Sequence, residues 1–372
     1  MDEIFKYSEC DGEIIITGLQ EGVAETAIVI PEAIDNMPVT AIADEAFKGS
    51  HIANVKIGEN IKAVGAEAFE GCKDLKSVVW NCSCSKIPSC CFYSCTALKQ
   101  FDFSNINVTK IESSAFQNTA ITDIKIGENI KEIGGAAFSH CKNLKNVVWN
   151  TSCDISYSCF FDCPKLSKFD LSNVKKIGGR AFSESGIKKV ELSENIEEVG
   201  WGAFFKCNKL KQVIWNSACE EIPLNCFTYC SSLIQFDFSK VKKIGRCAFE
   251  GSGLQELYLP PNVKEIKAVA FADCTALKQV TWDCDCNKVP TLCFANCFSL
   301  KHFDFNNIAE IGTEAFKKCK LHELFLPENI KNVLSLAFAN CSELKEINIS
   351  DKVESIATNA FRDCPNAEFN FV

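Results

Sequence analysis

The sequence predicts an α/β-type repeat solenoid, a stack of about fifteen turns of 22–24 residues joined through parallel strands. Two observations indicate it: an Ala-Phe or Cys-Phe dipeptide recurs every 22–24 residues, and a short run of alternating apolar residues follows each dipeptide. A fixed period of this length is typical of structural units that bury their apolar faces against their neighbours. The repeat therefore outweighs the length of 372 residues, which alone would suggest two or three globular domains. The dipeptide phenylalanines are Phe47, Phe69, Phe92, Phe116, Phe138, Phe160, Phe182, Phe204, Phe227, Phe249, Phe271, Phe294, Phe316, Phe338 and Phe361.

Composition and charge exclude several classes of protein. Apolar residues make up 47% and charged residues 23% of the chain, which is ordinary for a folded protein. A net charge of −9 argues against a partner that is nucleic acid or an anionic membrane, because both require a basic face. No window approaches the roughly 18 consecutive apolar residues of a membrane span, so we expect no membrane insertion. The start, Met1–Ile4, lacks the basic and apolar regions of a secretory signal, and we expect a cytoplasmic protein.

The chain is expected to begin with a cap. Residues 1–40 precede the regular repeat and contain two apolar segments that we interpret as strands, Glu13–Thr17 and Ala27–Ile30. We therefore predict an N-terminal cap over residues 1–40 and a solenoid over residues 41–372.

Every third turn is alike, so the solenoid consists of five super-repeats of three turn types. Examples of the apolar segments are Ile52–Ile57 for the first type, Leu75–Trp80 for the second and Leu98–Phe103 for the third. Alternation of apolar residues predicts a short strand in each, with one side facing inward. Four of the five tryptophans occupy the same second-type position, which favours core packing over a ligand site. These four are Trp80, Trp149, Trp215 and Trp282.

The rest of each turn contains three further features. A second apolar pair, such as Val64-Gly65, predicts another short extended segment on the opposite wall, where glycine permits a turn or a close approach. The Ala-Phe elbow is predicted to be a single helical or 3₁₀ turn. Asparagine marks the corner after each first-type strand and is expected to adopt the left-handed conformation. These residues are Asn60, Asn129, Asn195, Asn262 and Asn329.

This pattern resembles the BspA-like leucine-rich repeat family, whose motif is close to I-P-x-x-V-x-x-I-G-x-x-A-F-x-x-C-x-x-L-x-x-I-x-I. The matching residues of one turn are Leu326–Ile330, Ala337-Phe338, Cys341 and Leu344–Ile349. The segment Ile28–Ile42, which leads into Ala46-Phe47, is similar to the usual opening of such proteins. The resemblance covers residues 11–372. It implies a right-handed leucine-rich-repeat β-solenoid with a curved parallel sheet and a non-enzymatic interaction role, and some members of the family are surface adhesins.

Most of the 24 cysteines follow the repeat, which favours small, buried apolar residues. Fifteen lie directly before, or three residues after, an elbow phenylalanine. Adjacent members such as Cys72 and Cys95 should stack within the distance range of a disulfide, but parallel Cβ directions suit that bond poorly. Free thiols are favoured and disulfides remain the alternative. Cys82 and Cys284 lie outside the ladder, each two residues before another cysteine, and form the best candidates for a metal site. Their spacing is uncommon for zinc, and we predict no metal.

No set of residues predicts catalysis or a cofactor. His51, His140, His302 and His322 fall at unrelated repeat positions, and none belongs to a metal or nucleophile motif. The glycines of the corners do not form a phosphate-binding loop. The chain is therefore predicted not to be an enzyme.

A protein partner would bind the side chains that point out of the sheet. The predicted binding residues of the third-type turns form a column of aspartates: Asp102, Asp170, Asp237 and Asp304. The second-type turns contribute a column of lysines: Lys76, Lys145, Lys211 and Lys278. Tyr258 and Phe325 are the aromatic candidates on first-type strands. A solvated face with local Lys–Asp pairs is the alternative interpretation.

The C-terminal segment, Phe369–Val372, stops within the last predicted strand without a polar cap. Unpaired strand edges favour association, so we expect this end, with Phe371, to dock on another protein or another copy. The overall interpretation is a cytoplasmic scaffold for an elongated or repetitive protein partner, in a larger, cytoskeletal assembly. The alternative is an adhesin that binds host protein or glycan, at the cell surface or secreted by an unconventional route.

Overall fold

A computed structural model describes residues 4–104 and 106–372. The chain divides into two units, residues 1–187 and residues 188–372. Each unit is a stack of solenoid turns. In first-type and second-type turns a longer strand, a corner, a short extended segment and an elbow follow one another. The parallel pairing of successive turns confirms the predicted solenoid. The division at residue 40 into cap and solenoid stays a prediction.

The first unit begins with a mixed sheet and continues with parallel strands. β1 pairs antiparallel with β2, and β2 pairs parallel with β5. The expected cap strands are present as β2 and β3. The strands of this unit are β1 Phe5–Cys10, β2 Glu13–Leu19, β3 Ala27–Val29, β4 Ala33–Ile34, β5 Met37–Ile42, β6 Asn54–Ile57, β7 Ala63–Val64, β8 Ser77–Trp80, β9 Lys86–Ile87, β10 Lys110–Ile111, β11 Asp123–Ile126, β12 Glu132–Ile133, β13 Asn146–Trp149 and β14 Lys176–Ile177.

The second unit is built from parallel pairs throughout. Its strands are β15 Lys189–Leu192, β16 Glu198–Val199, β17 Gln212–Trp215, β18 Glu221–Ile222, β19 Lys243–Ile244, β20 Glu256–Leu259, β21 Glu265–Ile266, β22 Gln279–Trp282, β23 Lys288–Val289, β24 Glu310–Ile311, β25 Glu323–Leu326, β26 Asn332–Val333, β27 Glu346–Ile349, β28 Ser355–Ile356 and β29 Glu368–Phe371. In both units the four-residue strands form one wall, the long-strand wall, and the two-residue strands form the short-strand wall.

The long-strand wall is interrupted at third-type turns, where the prediction of a strand is wrong. Residues 98–103, 166–171, 233–238 and 300–305 are extended but pair with no second-type strand among the described residues. A tryptophan and a phenylalanine face each other across each interruption, with ring centroids 5.6–6.1 Å apart. Strands in a ladder lie only about 4.8 Å apart. We infer that the two bulky rings keep these segments from the backbone hydrogen bonds of a ladder.

The last super-repeat supports this cause. Its second-type strand β27 carries Ile349 where the others carry tryptophan, and there the third-type strand β29 pairs in full register. The sequence of β29, with Phe369 and Phe371, has the same spacing of phenylalanines as the unpaired segments. This segment is also one residue shorter than the unpaired ones, since Phe369 lies five positions after Cys364 whereas Phe101 lies six after Cys95. The pairing thus accompanies both the isoleucine and the shorter turn.

The elbows are hydrogen-bonded turns, so the prediction of a helical turn is wrong and no described residue belongs to an α-helix. In the first elbow, the amide groups of Glu45, Phe47 and Gly49 donate to carbonyls of the next turn, and the amides between them donate three residues back. The residues two before and two after the phenylalanine have positive φ, as at Glu45 (56°) and Gly49 (68°). This alternation directs every second amide along the stack instead of along a helix.

The predicted aromatic columns run through a core that also contains many buried isoleucine, leucine, valine, alanine and cysteine residues. The elbow phenylalanines stack within each unit, with successive ring centroids 5.1–5.8 Å apart and ring planes within 28° of each other. The four repeat tryptophans are at most 5% exposed, which confirms their assignment to the core.

The corner asparagines do not adopt the expected left-handed conformation. Instead, the side-chain amide of Asn262 donates to the carbonyls of Val241 (2.7 Å) and Phe238 (3.0 Å) in the preceding turn. Asn129 and Asn329 make equivalent bonds. The close approach predicted for glycine is confirmed, since a Cβ on Gly134 would lie 2.5 Å from the Ser113 amide nitrogen.

Candidate partner-binding face

The long-strand wall presents a periodic outward face. Its central outward positions are filled in register: Lys125 lies beside Val148, and Tyr258 beside Thr281. Apolar and aromatic side chains are exposed here: Tyr258 and Phe325 are each 54% exposed to solvent, and Val148 is 45% exposed. Large exposed apolar side chains on a repeat face are typical of interaction surfaces.

The four predicted aspartates close the turns that follow the unpaired segments. One carboxylate oxygen of Asp237 accepts the Ser239 amide at 2.9 Å, and that of Asp304 accepts the Asn306 amide at 2.9 Å. Asp102 and Asp170 make the same contact with the residue two positions on. These are Asx turns, so each aspartate has a structural role that the sequence prediction missed. The hydroxyl and amide of Ser104 hold the pKa of the Asp102 carboxyl below its usual value.

The four predicted lysines are exposed on the same wall. Among the described residues, none of Lys76, Lys145, Lys211 and Lys278 forms an ion pair. Lys145 nevertheless acts on a carboxylate of the neighbouring strand, since its charge helps to lower the pKa of Asp123. The alternative of a solvated face with local Lys–Asp pairs stays a prediction.

The interruptions of the sheet form shallow grooves that bring part of the predicted set together. Lys278 and Asp304 line one groove of about 440 Å³, together with Gln279, His302 and Phe303. Aromatic surface, a cation, a carboxylate and amide side chains thus meet at one place.

An equivalent groove of about 360 Å³ lies one super-repeat earlier and is lined by Gln212, Val213, Gln235, Phe236 and Asp237. The sequence analysis missed Gln235 and His302. Their positions, directly before the first phenylalanine of a third-type segment, are the signal that could have identified them.

The remaining predicted residues lie outside these grooves. Tyr258 and Phe325 belong to paired first-type strands, β20 and β25. Phe371 lies in β29 at the end of the second unit, is 75% exposed, and lines a separate cavity of about 610 Å³ with Phe361 and Phe369.

The short-strand wall differs in its electrostatics. Lysines and glutamates of adjacent turns pair across it, as in Lys86–Glu112 (3.0 Å), Lys110–Glu132 (2.9 Å) and Lys288–Glu310 (2.5 Å). On the long-strand wall, Lys189 pairs with Glu191 of its own strand (3.0 Å), and His322 lies 3.1 Å from Glu343. The short-strand wall therefore neutralises itself, whereas the long-strand wall keeps charged and apolar groups available.

The cysteine ladder is buried as predicted, but its thiols also donate hydrogen bonds. Thiols three residues after an elbow phenylalanine donate to the phenylalanine carbonyl of an earlier turn, as Cys141 does to Phe116 (3.3 Å) and Cys319 to Phe294 (3.1 Å). Burial raises the pKa of Cys141 to about 11 and that of Cys274 to about 12. First-type turns carry Ser50, Thr119, Ser185 and Ser252 at this position. Serine, threonine and cysteine can all donate a hydrogen bond. This shared property is the sequence signal from which the donor role of the thiols could have been predicted.

The Cys82 and Cys284 corners remain the closest approach to a metal site. Among the described residues, no group of three or more His, Cys, Asp or Glu side chains could hold a metal ion. Within the same residues, no helix is long and apolar enough to cross a membrane.

Parallel turns, a stacked phenylalanine core and one open sheet face define a solenoid repeat protein. The family model of the BspA-type leucine-rich repeat region matches in six copies, over residues 26–145, 153–278 and 264–372. The chain belongs to the BspA-type leucine-rich repeat family, which confirms the resemblance.

Solved structures show the same fold. A leucine-rich repeat protein from Bacteroides ovatus is 21% identical, with a TM-score of 0.66 over 99% of this chain and 98% of that one. A leucine-rich cell surface protein from Faecalibacterium prausnitzii is 23% identical, with a TM-score of 0.54 over 100% of this chain and 94% of that one. No match was found among curated proteins.

Proposed function

We propose that the chain is a non-enzymatic protein-interaction scaffold that binds its partner through the long-strand wall. One observation carries this proposal: the short-strand wall pairs its charges internally, whereas the long-strand wall exposes the aromatic rings of Tyr258 and Phe325 and lysines without an ion pair, such as Lys278. Exposed aromatic groups surrounded by polar side chains are typical of the centres of protein interfaces.

The period of the face favours an elongated or repetitive partner. Two equivalent grooves lie one super-repeat apart, with Asp237 in one and Asp304 in the next. A partner that presents similar groups at a matching spacing would engage several grooves at once, and linked weak contacts reinforce each other.

We also propose a cytoplasmic location in a larger assembly. Burial of most of the 24 cysteines as hydrogen-bonded thiols is compatible with a reducing compartment, where thiols are normally kept. The second candidate is a surface adhesin for host protein or glycan, which is favoured by the description of the Faecalibacterium protein as a cell surface protein. Self-association through Phe369 and Phe371 at the exposed edge strand β29 remains part of the proposal.

Photo-crosslinking tests the binding face. A photoreactive phenylalanine analogue replaces Tyr258 or Phe325 on the long-strand wall, or Lys243 on the short-strand wall as the control, and the tagged full chain is irradiated in its source cells. We expect the same crosslinked protein from Tyr258 and Phe325 and none from Lys243. Crosslinks from Lys243 alone, or from no position, would contradict the proposal. The compartment of the crosslinked protein separates the scaffold from the adhesin.

The aspartates allow charge to be tested apart from structure. Asp170→Asn with Asp237→Asn retains the side-chain oxygen that closes each Asx turn and removes both negative charges. Weaker crosslinking in this double variant would support charge recognition by the face. Unchanged crosslinking would restrict the two aspartates to their structural role.

A further inference from the structure

One column of outward residues in the second unit is basic. Its members directly follow the leucine or isoleucine that opens each segment of the long-strand wall. Five of the eight are lysines and none is acidic, although acidic residues outnumber basic ones in the whole chain by 48 to 39. We call this set the basic column. It consists of Lys188, Lys211, Ile234, Gln255, Lys278, Lys301, His322 and Lys345.

Backbone hydrogen bonds align the members of the column. The amide of Lys211 donates to the carbonyl of Lys188 at 2.9 Å. The amide of Lys345 donates to the carbonyl of His322 (2.9 Å), and that of His322 donates to Lys301 (3.3 Å). Because each bond joins equivalent residues of successive turns, neighbouring side chains follow one another at about the 4.8 Å spacing of adjacent strands. The lysines therefore lie in a line along the stack.

The fold does not require a lysine at these positions. Ile234 and Gln255 belong to the same column, and Ala53 and Thr122 occupy the equivalent position in the first unit. The amide of Gln255 donates to the carbonyl of Ile234 at 3.1 Å, as the amides of the charged members do to theirs. Stacking thus does not account for the positive charge, and the lysines are available for recognition.

The charge of the column is not neutralised by the groups around it. All five lysines are exposed, and none of them forms an ion pair with a described residue. Lys320 holds Glu343 at 2.9 Å and is the main cause of the lowered pKa of Glu343, to which His322 and Lys301 also contribute. Asp304 accepts the amide of Asn306 at 2.9 Å. These two carboxylates are therefore engaged by other groups.

The interruption of the sheet between Lys278 and Lys301 marks the centre of the column. Lys278 lines the groove of about 440 Å³ on one side, and Lys301 directly precedes His302, which lines it on the other. In the next two turns the column residue is followed by a glutamate, Glu323 or Glu346. The positive charge is thus least compensated at the groove.

We propose that this groove and the basic column around it bind an acidic, extended polypeptide segment of the partner, whose carboxylates contact Lys278 and Lys301. The inference rests on the proposed function, because it names the kind of partner that the long-strand wall binds.

The side chains of the groove suit such a segment. Carboxylates of the segment attract Lys278 and Lys301, and the long, flexible stem of lysine adapts to their spacing. Gln279 and His302 line the same groove and provide hydrogen-bonding groups for the backbone of the segment. Charge would therefore attract the segment, and polar contacts would position it.

The surroundings favour an acidic protein over a nucleic acid. Asp304 lines the same groove, and Glu323 lies one turn further along the stack, so a broad polyanion would meet negative charge beside the lysines. The basic column also contains no arginine, the residue whose planar group matches phosphate best. A single extended chain is narrow enough to follow the column alone.

Fluorescence anisotropy of a labelled oligoglutamate peptide with the purified full chain tests the proposal. We expect binding that weakens as salt increases. Lys278→Gln with Lys301→Gln should weaken it about tenfold, and this variant should fold because Gln255 occupies the same position in another turn. The matched control is Lys243→Gln with Lys288→Gln on the short-strand wall, which changes the net charge equally and should bind as the unaltered chain does. Circular dichroism verifies folding of both variants.

Three results would overturn the proposal. The first is no binding of oligoglutamate by the unaltered chain. The second is equal weakening in the control variant, which would assign the effect to net charge. The third is tighter binding of an oligodeoxythymidylate of the same charge, which would assign the column to nucleic acid.

Crosslinking in the source cells separates this inference from the proposed function. The photoreactive analogue at Tyr258 is combined with Lys278→Gln and Lys301→Gln, and we expect a weaker crosslink than in the chain with the analogue alone. An undiminished crosslink would overturn the inference and leave the proposed function intact. Absence of a crosslink in the chain with the analogue alone would contradict the proposed function itself.

Discussion

At the scale of single residues, the most regular backbone feature has no signature in the sequence. Positive φ recurs two residues before and two residues after the elbow phenylalanine, where residues as different as Arg180, Val269 and Leu292 occur. Isolated left-handed residues favour glycine or asparagine, so local preference predicts none of these three. The hydrogen bonds to the next turn impose the conformation, since only this backbone directs those amides along the stack.

Val269 carries the largest local strain of this kind because it is β-branched and has a φ of 67°. Asn225 occupies the equivalent position of another turn with a φ of 57°. We expect Val269→Asn to raise the free energy of unfolding by about 1 kcal/mol, as measured by urea denaturation. Asn225→Val is the reverse control and should lower it by a similar amount. Equal stability of both variants and the unaltered chain would show that the strain is relieved elsewhere.

The ladder cysteines combine small size with a hydrogen-bond donor. Cys141→Ala removes the donor to the Phe116 carbonyl and should lower the free energy of unfolding by about 1 kcal/mol. Cys141→Ser retains a donor and should cost less than the alanine variant. Thermal or urea unfolding of the two variants side by side measures the difference. A serine variant less stable than the alanine variant would indicate that apolar packing dominates.

At the scale of elements, the sheet of the long-strand wall stops where two aromatic rings oppose each other. Third-type segments have the alternation of a strand, and the sequence analysis predicted strands there. The prediction failed after each tryptophan-bearing strand: pairing is absent beside Trp282 and present beside Ile349. We infer that the residue in the neighbouring turn contributes to this difference. The grooves of the candidate face follow directly from these interruptions.

Replacing the tryptophan should restore the ladder. In Trp282→Ile we expect residues 301–305 to pair with β22, because isoleucine occupies this position in β27. Hydrogen exchange should show slower exchange at the amides of 301–305, even though the smaller side chain lowers overall stability by about 2–4 kcal/mol. Trp282→Phe is the control, since a second aromatic ring should keep the gap open. Unchanged exchange in the isoleucine variant would refute the aromatic cause.

At the scale of the whole molecule, burial of many thiols makes stability sensitive to alkaline pH. Burial raises the pKa of Cys141 to about 11 and of Cys274 to about 12, against an ordinary value of 9.0. Above pH 9 the unfolded chain releases these protons while the folded chain retains them. The stability from each thiol is therefore complete below pH 9 and is lost as the pH rises to the folded value.

A comparison of two proteins isolates one thiol in this behaviour. The unaltered chain and Cys141→Ser are unfolded with urea at several values between pH 8 and pH 11. We expect any advantage of the unaltered chain to decrease above pH 9 by about 1.4 kcal/mol per pH unit, the value for one proton. The other titrating groups contribute equally to both proteins, so their contributions cancel in the difference between the two free energies of unfolding. A constant difference across this range would mean that Cys141 ionises equally in both states.

The sequence by itself determined the period, the turn types, the phenylalanine and tryptophan columns and the family. These features are predictable because each depends on a residue type repeated at a fixed spacing, which local patterns retain. Only the tertiary structure decided the left-handed elbows, the interrupted sheet, the Asx turns of the predicted aspartates and the donor role of the thiols. Each of these depends on which backbone or side-chain group of the folded chain lies within bonding distance, as the different pairing beside Trp282 and beside Ile349 illustrates.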